Sequence, residues 1–152
     1  IPPAGLAYVH DRVVAGVCGD RPPTTRRRLY ISRAGTGHRQ IANEAELIEC
    51  LREWQFEVVA PERMSFEDQV TLFRAAEVIV GPRGAALTNM LFAQGAKILE
   101  LTTDVPFAGA VYFGLAYSMG HDYRYLFCRR HGRSYVVDPD EFRTSIRALL
   151  AA

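Results

Sequence analysis

From position 28 onward, short apolar runs alternate with segments whose apolar residues recur every three to four positions. This rhythm narrows the fold more than any other feature of the chain. Leu29–Ile31, Phe56–Ala60, Val78–Val80, Ile98–Leu101 and Tyr123–Cys128 read as five strands, apolar without polar alternation, so both faces of their sheet need cover. The intervening segments read as helices. Asn43–Gln55 carries Leu47, Ile48, Leu51 and Trp54 on one face, with Asn43 as N-cap and Glu46 three residues later. Ser65 and Asp68 repeat that signature ahead of a stripe of Phe66, Val70 and Phe73. Ala85–Phe92 and Tyr112–Met119 read as shorter helices, the second ending at Gly120. Asp138, Pro139 and Glu141 open a last helix that packs through Phe142, Ile146 and Leu149.

Strand-helix alternation of this kind predicts an α/β fold with a doubly wound, Rossmann-like parallel sheet. The usual strand order sets strands one and four side by side at the centre, with ligands outside the carboxyl ends of the strands. Residues 1–27 read as an N-terminal helix (Leu6–Val17) and a turn-rich connection (Cys18–Thr25). Residues 28–152 form the domain proper.

A length of 152 residues suits one such domain, and 49% hydrophobic against 23% charged residues excludes a disordered chain. A net charge of +1 gives no basic field for nucleic acid or an anionic membrane. Arginine supplies 17 of the 18 basic residues, Lys97 being the only lysine, a bias that hints at a GC-rich bacterial genome. Cys18, Cys50 and Cys128 form no C-x-x-C, and His10, His38, His121 and His131 have no zinc spacing. The expectation is therefore a reducing, cytoplasmic setting at most associated with the inner face of the membrane. The apolar runs are too short to span a bilayer. A start at Ile1 without methionine reads as a fragment of a longer protein.

Three loops leave strand ends near the predicted crevice. The first, Ser32 to Gln40, is long for such a connection. It offers Gly35 and Gly37 for close backbone approach, with Arg33 and Arg39 to neutralise a diphosphate. The second runs from Gly81 through Pro82, Arg83 and Gly84 straight into a helix, whose free amides at Ala85 and beyond suit an anion. Thr88 offers a hydroxyl there. The third centres on Glu100, either a ribose ligand or the partner of an arginine. Asn43 and Glu44 read as helix-capping residues, and Gln69 as an exposed helix position.

The ordered set Tyr30-Ile31-Ser32-Arg33, Asn43-Glu44, Ser65-Phe66 with Gln69, and Val80 through Met90 resembles the signature of family 61 glycosyltransferases over about residues 28 to 103. The resemblance implies one half of a GT-B architecture, the carboxyl-terminal domain that holds a nucleotide sugar. It also implies an inverting reaction with no required metal or other cofactor. On that basis Ser32, Arg33 and the segment from Gly84 to Asn89 contact the nucleotide. Arg83 stands where the family usually has histidine, and Ala86 where glycine is frequent. Arginine carries charge for a leaving diphosphate, which makes Arg83 the candidate leaving-group stabiliser, but it does not titrate near neutrality.

The expected activity is transfer from a nucleoside diphosphate sugar, with UDP the expected nucleotide, to a glycan or capsular polysaccharide hydroxyl. The catalytic base is expected in the amino-terminal domain of the same protein or in the interdomain cleft. Two other readings stand beside it: a non-catalytic module that keeps the fold to bind glycan or protein partners, and a sugar-epimerase-like enzyme.

Overall fold

A computed structural model describes residues 3–19, 22–35, 37, 40–103 and 110–152. Strands β1 (Arg27–Ile31), β2 (Glu57–Val59), β3 (Ala76–Pro82), β4 (Lys97–Thr102) and β5 (Asp122–Phe127) form one sheet, parallel at every pairing. Helices α1 (Pro3–Cys18), α2 (Glu44–Leu51), α3 (Phe66–Arg74), α4 (Ala110–Ser118) and α5 (Pro139–Ala151) accompany it, with a 3-10 helix over Ala85–Phe92. The α/β, doubly wound expectation holds, with an apolar core on each face of the sheet.

One core joins Leu29, Ile31, Ile79 and Ile98 to α1, α3, α4 and the 3-10 helix. The other joins Tyr30, Val78, Val80 and Leu99 to α2 and α5. Successive residues of a strand point to opposite faces, so an uninterrupted apolar run supplies both layers. Each fully buried Leu or Ile contributes about 1.5–3 kcal/mol. Leu6, His10 and Val14, four residues apart, are the buried stripe of α1, which packs against α3 and the 3-10 helix.

The strand order is β2-β1-β3-β4-β5, which corrects the expectation that strands one and four are neighbours. Only β2 lies outside β1, so the chain returns past β1 directly to β3. Apolar periodicity identifies strands but carries no information about that order. The reversal of winding therefore falls between β1 and β3 and brings their two loops together.

Local departures have similar causes. Ser65 caps α3 as expected, accepting from the Asp68 amide at 3.1 Å. Phe66 is 52% exposed instead of buried and meets Phe92 edge-on. The α2 segment turns 3-10 at Arg52–Trp54, and Gln55 closes it at φ 57°. Past β5 the chain forms a hairpin that periodicity does not reveal, β6 (Arg129–His131) and β7 (Ser134–Val136), turning at Gly132 with φ +59°.

Candidate functional site

The end of β1 is built on Glu44, the first residue of α2. Its Oε2 accepts from the Ser32 hydroxyl at 2.9 Å, and its Oε1 accepts from the Tyr30 hydroxyl at 3.2 Å and the Arg33 amide at 3.3 Å. Burial, and then the Glu44 carboxylate, push the Tyr30 phenol far above its ordinary pKa, so it stays a donor. Ser32 is buried, and its Oγ also accepts from the Ala34 amide. Glu44 thus shapes the loop that follows β1, a role that reading it as a cap misses. Asn43 stands at the N-cap position of α2 and donates to Glu46 Oε2 at 3.1 Å, but it caps no helix amide: its side chain also bonds both the amide and the carbonyl of Val137.

The end of β3 comes within contact of that loop. A Cβ at Gly81 would lie 2.8 Å from the Ile31 Cβ, so glycine permits the approach of β3 to β1. At Gly84 a Cβ would collide with the Arg33 guanidinium, which lies directly on the backbone there. Gly84 begins the 3-10 helix, where its carbonyl accepts from the Leu87 amide at 2.9 Å. The amides of Ala85 and Ala86 precede that first bond, so neither has a partner within the helix.

Beside this contact lies a cavity of about 330 Å³ lined by Arg33, Pro61, Glu62, Gln69, Ala85, Ala86 and Asn89. The Asn89 amide nitrogen donates to Gln69 Oε1 at 2.8 Å, and Gln69 in turn donates to the Met64 carbonyl. Gln69 is therefore half-buried in the cavity wall, which corrects its reading as an exposed helix position. Thr88 is exposed and does not line the cavity. Arg39, with Thr36 and His38, falls outside the described residues. A larger cavity of about 610 Å³, lined in part by Arg27, Thr71 and Arg74, lies at the amino end of β1, away from these loops.

Glu100 answers the question left open for it. Its carboxylate has no exposure; Oε1 accepts from Arg83 Nε at 2.5 Å and Oε2 from the Tyr123 hydroxyl. Of the two readings, the arginine pairing is the one the structure contains, and each oxygen accepts a bond within the protein. Burial, and then the hydrogen bond to Glu100, push the Tyr123 phenol far up in pKa and keep it protonated. Arg83 is largely buried, with its charge balanced by Glu100, and its Nη1 has no hydrogen-bond partner among the described residues. The sequence offered a signal for Glu100, an acid inside an apolar strand, but none that singled out Tyr123.

Arg33, the glycines at 81 and 84 and the start of the 3-10 helix thus meet at the winding reversal of a parallel sheet. The family model for glycosyltransferase 61 matches residues 2–99. The chain belongs to the glycosyltransferase 61 family. Within the family match lie Glu44, Ser32, Arg33, Gln69, Arg83, Gly84 and Asn89, while Glu100 and Tyr123 lie outside it. The chain is also similar to an EGF domain-specific O-linked N-acetylglucosamine transferase of Drosophila melanogaster, 36% identical over 86 residues. That alignment covers 53% of this chain and 16% of the relative's length. Among the described residues, no helix is long and apolar enough to cross a membrane.

Proposed function

We propose that this chain is the donor-binding domain of an inverting glycosyltransferase, and that the donor is a UDP-sugar. The observation that supports this best is the Arg33 guanidinium lying on Gly84 at the mouth of the Arg33–Asn89 cavity. In this reading the diphosphate sits against the Ala85 and Ala86 amides with Arg33 across it. The rest of the nucleotide extends along Gln69 and Asn89. Charge develops on the diphosphate as the glycosidic bond breaks, and preorganised donors stabilise it without reorganising, an effect worth about 3–4 kcal/mol per donor in comparable sites.

Arg83 contributes less than Arg33 in this scheme, because Glu100 already balances its charge. Inversion needs a base on the acceptor side of the sugar, opposite the departing diphosphate. We place that base, and the acceptor glycan, on another part of the protein, since the matched stretch is 16% of the Drosophila relative.

Calorimetry with UDP, ADP and a panel of UDP-sugars tests the proposal. UDP binding that is lost in Arg33→Ala supports it. If no nucleotide binds at millimolar concentration, the chain is not a donor domain.

A further inference from the structure

The 3-10 helix over Ala85–Phe92 is eight residues long, about twice the length at which such helices usually stop. Its burial repeats every third residue. Ala85 and Thr88 are exposed, Ala86 and Asn89 are half-buried, and Leu87 and Met90 are fully buried. Three residues complete one 3-10 turn, so the members of each pair stand on one edge. The Ala86–Asn89 edge lines the cavity beside Arg33. An α-helix turns about 100° per residue where a 3-10 helix turns about 120°. Rewinding as α would therefore swing Asn89 about 60° off the edge that Ala86 defines, and Met90 as far from Leu87.

The weaker hydrogen bonds of a long 3-10 helix call for support from outside it. Three side chains from separate elements supply it. Gln69 of α3 accepts from Asn89 Nδ2 at 2.8 Å. His121, in the turn before β5, donates from Nε2 to the Met90 carbonyl at 2.9 Å. His10 of α1 donates from Nδ1 to the Leu91 carbonyl at 2.7 Å, across 81 positions of sequence. A carbonyl only accepts, so Nδ1 carries the proton, while Nε2 faces the Gln94 side-chain nitrogen at 3.4 Å. His10 is 5% exposed and stands between Leu6 and Val14 on the buried stripe of α1. An apolar side chain would suit that stripe for packing, but only a donor reaches the end of the 3-10 helix with a directed bond.

We propose that His10 is a positioning residue of the donor site. The Leu87 amide bond fixes the start of the helix at Gly84, and His10 fixes its end at Leu91. The winding between those two points is then set, and the Ala86–Asn89 edge stays on the cavity. What that edge binds rests on the donor-domain reading; where it lies rests on these contacts.

His10→Leu, His10→Asn and His10→Gln, compared with the unaltered chain, test the proposal. Leucine fills the space without a donor. The asparagine amide nitrogen takes the place of Nδ1, whereas the longer glutamine carries its nitrogen to the place of Nε2. Calorimetric titration with UDP should show affinity about fivefold or more lower in the leucine and glutamine variants, and within about twofold of the unaltered chain in the asparagine variant. The Asn89 side-chain amide signals in NMR, identified by their loss in Asn89→Asp, give a readout without nucleotide. They should shift in the leucine and glutamine variants as the bond to Gln69 is lost, and hold their place in the asparagine variant. If the leucine variant fails to fold, the two amide variants keep the test decisive. UDP affinity indifferent to leucine, asparagine as weak as glutamine, or Asn89 signals unmoved throughout would each overturn the proposal. An unaltered chain that binds no UDP sinks the donor-domain reading instead, and the Asn89 signals then decide by themselves whether His10 sets that edge.

Discussion

The guanidinium of Arg33 occupies the space that a side chain at Gly84 would need. These residues are 51 positions apart and end different strands, yet each fixes the geometry of the other. Arg33 can lie on the backbone only because position 84 has no Cβ.

Gly84→Ala should therefore mimic Arg33→Ala. Its φ of 172° is extended backbone open to any residue, so the cost comes from contact and not from strain. The methyl group displaces the guanidinium, and UDP affinity is expected to fall about tenfold or more, equivalent to about 1.4 kcal/mol. Calorimetry on the two single variants and the double variant checks this. The double should be hardly worse than either single, because both remove the same contact.

Glu44 gives a stability prediction. Glu44→Ala strips partners from the Tyr30 and Ser32 hydroxyls, both buried. An unsatisfied buried donor costs about 1–3 kcal/mol, so thermal unfolding should move down by several degrees. Tyr30→Phe removes one donor together with its need for a partner, and should cost less. If differential scanning calorimetry finds the two equal, Glu44 does not organise the loop.

Removing one side of the buried Arg83–Glu100 pair leaves the other charge stranded. Glu100→Ala is expected to destabilise the fold by about 3–5 kcal/mol, and replacing both residues with apolar ones should cost less than that single change. Tyr123→Phe, which leaves the ion pair intact, should cost about 1–2 kcal/mol. Urea unfolding of the four proteins measures these differences.

His121 introduces an acid sensitivity. Its Nε2 bonds the Met90 carbonyl at 2.9 Å and its Nδ1 accepts from the Ala96 amide at 3.1 Å. Burial lowers its pKa from the ordinary 6.5, and a proton on Nδ1 would face the Ala96 N–H. The unfolded chain then binds a proton more readily than the fold. This contribution is complete above pH 6.5 and is lost as pH falls toward the folded-state pKa. Urea midpoints should decline between pH 7 and 5, and His121→Leu should flatten that decline even though the protein is weaker overall.

Much of this was legible in the sequence. Five apolar runs gave five strands, because a sheet covered on both faces accepts few polar residues in its central strands. Ser65 with Asp68 and Asp138 with Glu141 marked helix starts because a cap is satisfied within four residues. Arg33, Gly81, Gly84 and Asn89 stood out through motif order and the chemistry of a glycine turn.

Contacts between distant segments were not legible. Glu44 and Asn43 look like caps because sequence shows only their helical neighbours, yet Glu44 bonds Ser32, and Asn43, besides Glu46, bonds Val137. Glu100 remained ambiguous until Arg83 and Tyr123 met it from both sides. The sequence alone determined the five sheet strands and the main helical segments, though not the β6–β7 hairpin, since burial periodicity and capping are local. Only the tertiary structure decided that β3 lies beside β1, and thereby that Arg33 reaches Gly84. Strand order depends on how crossovers stack across the whole sheet, and no stretch of a few residues records it.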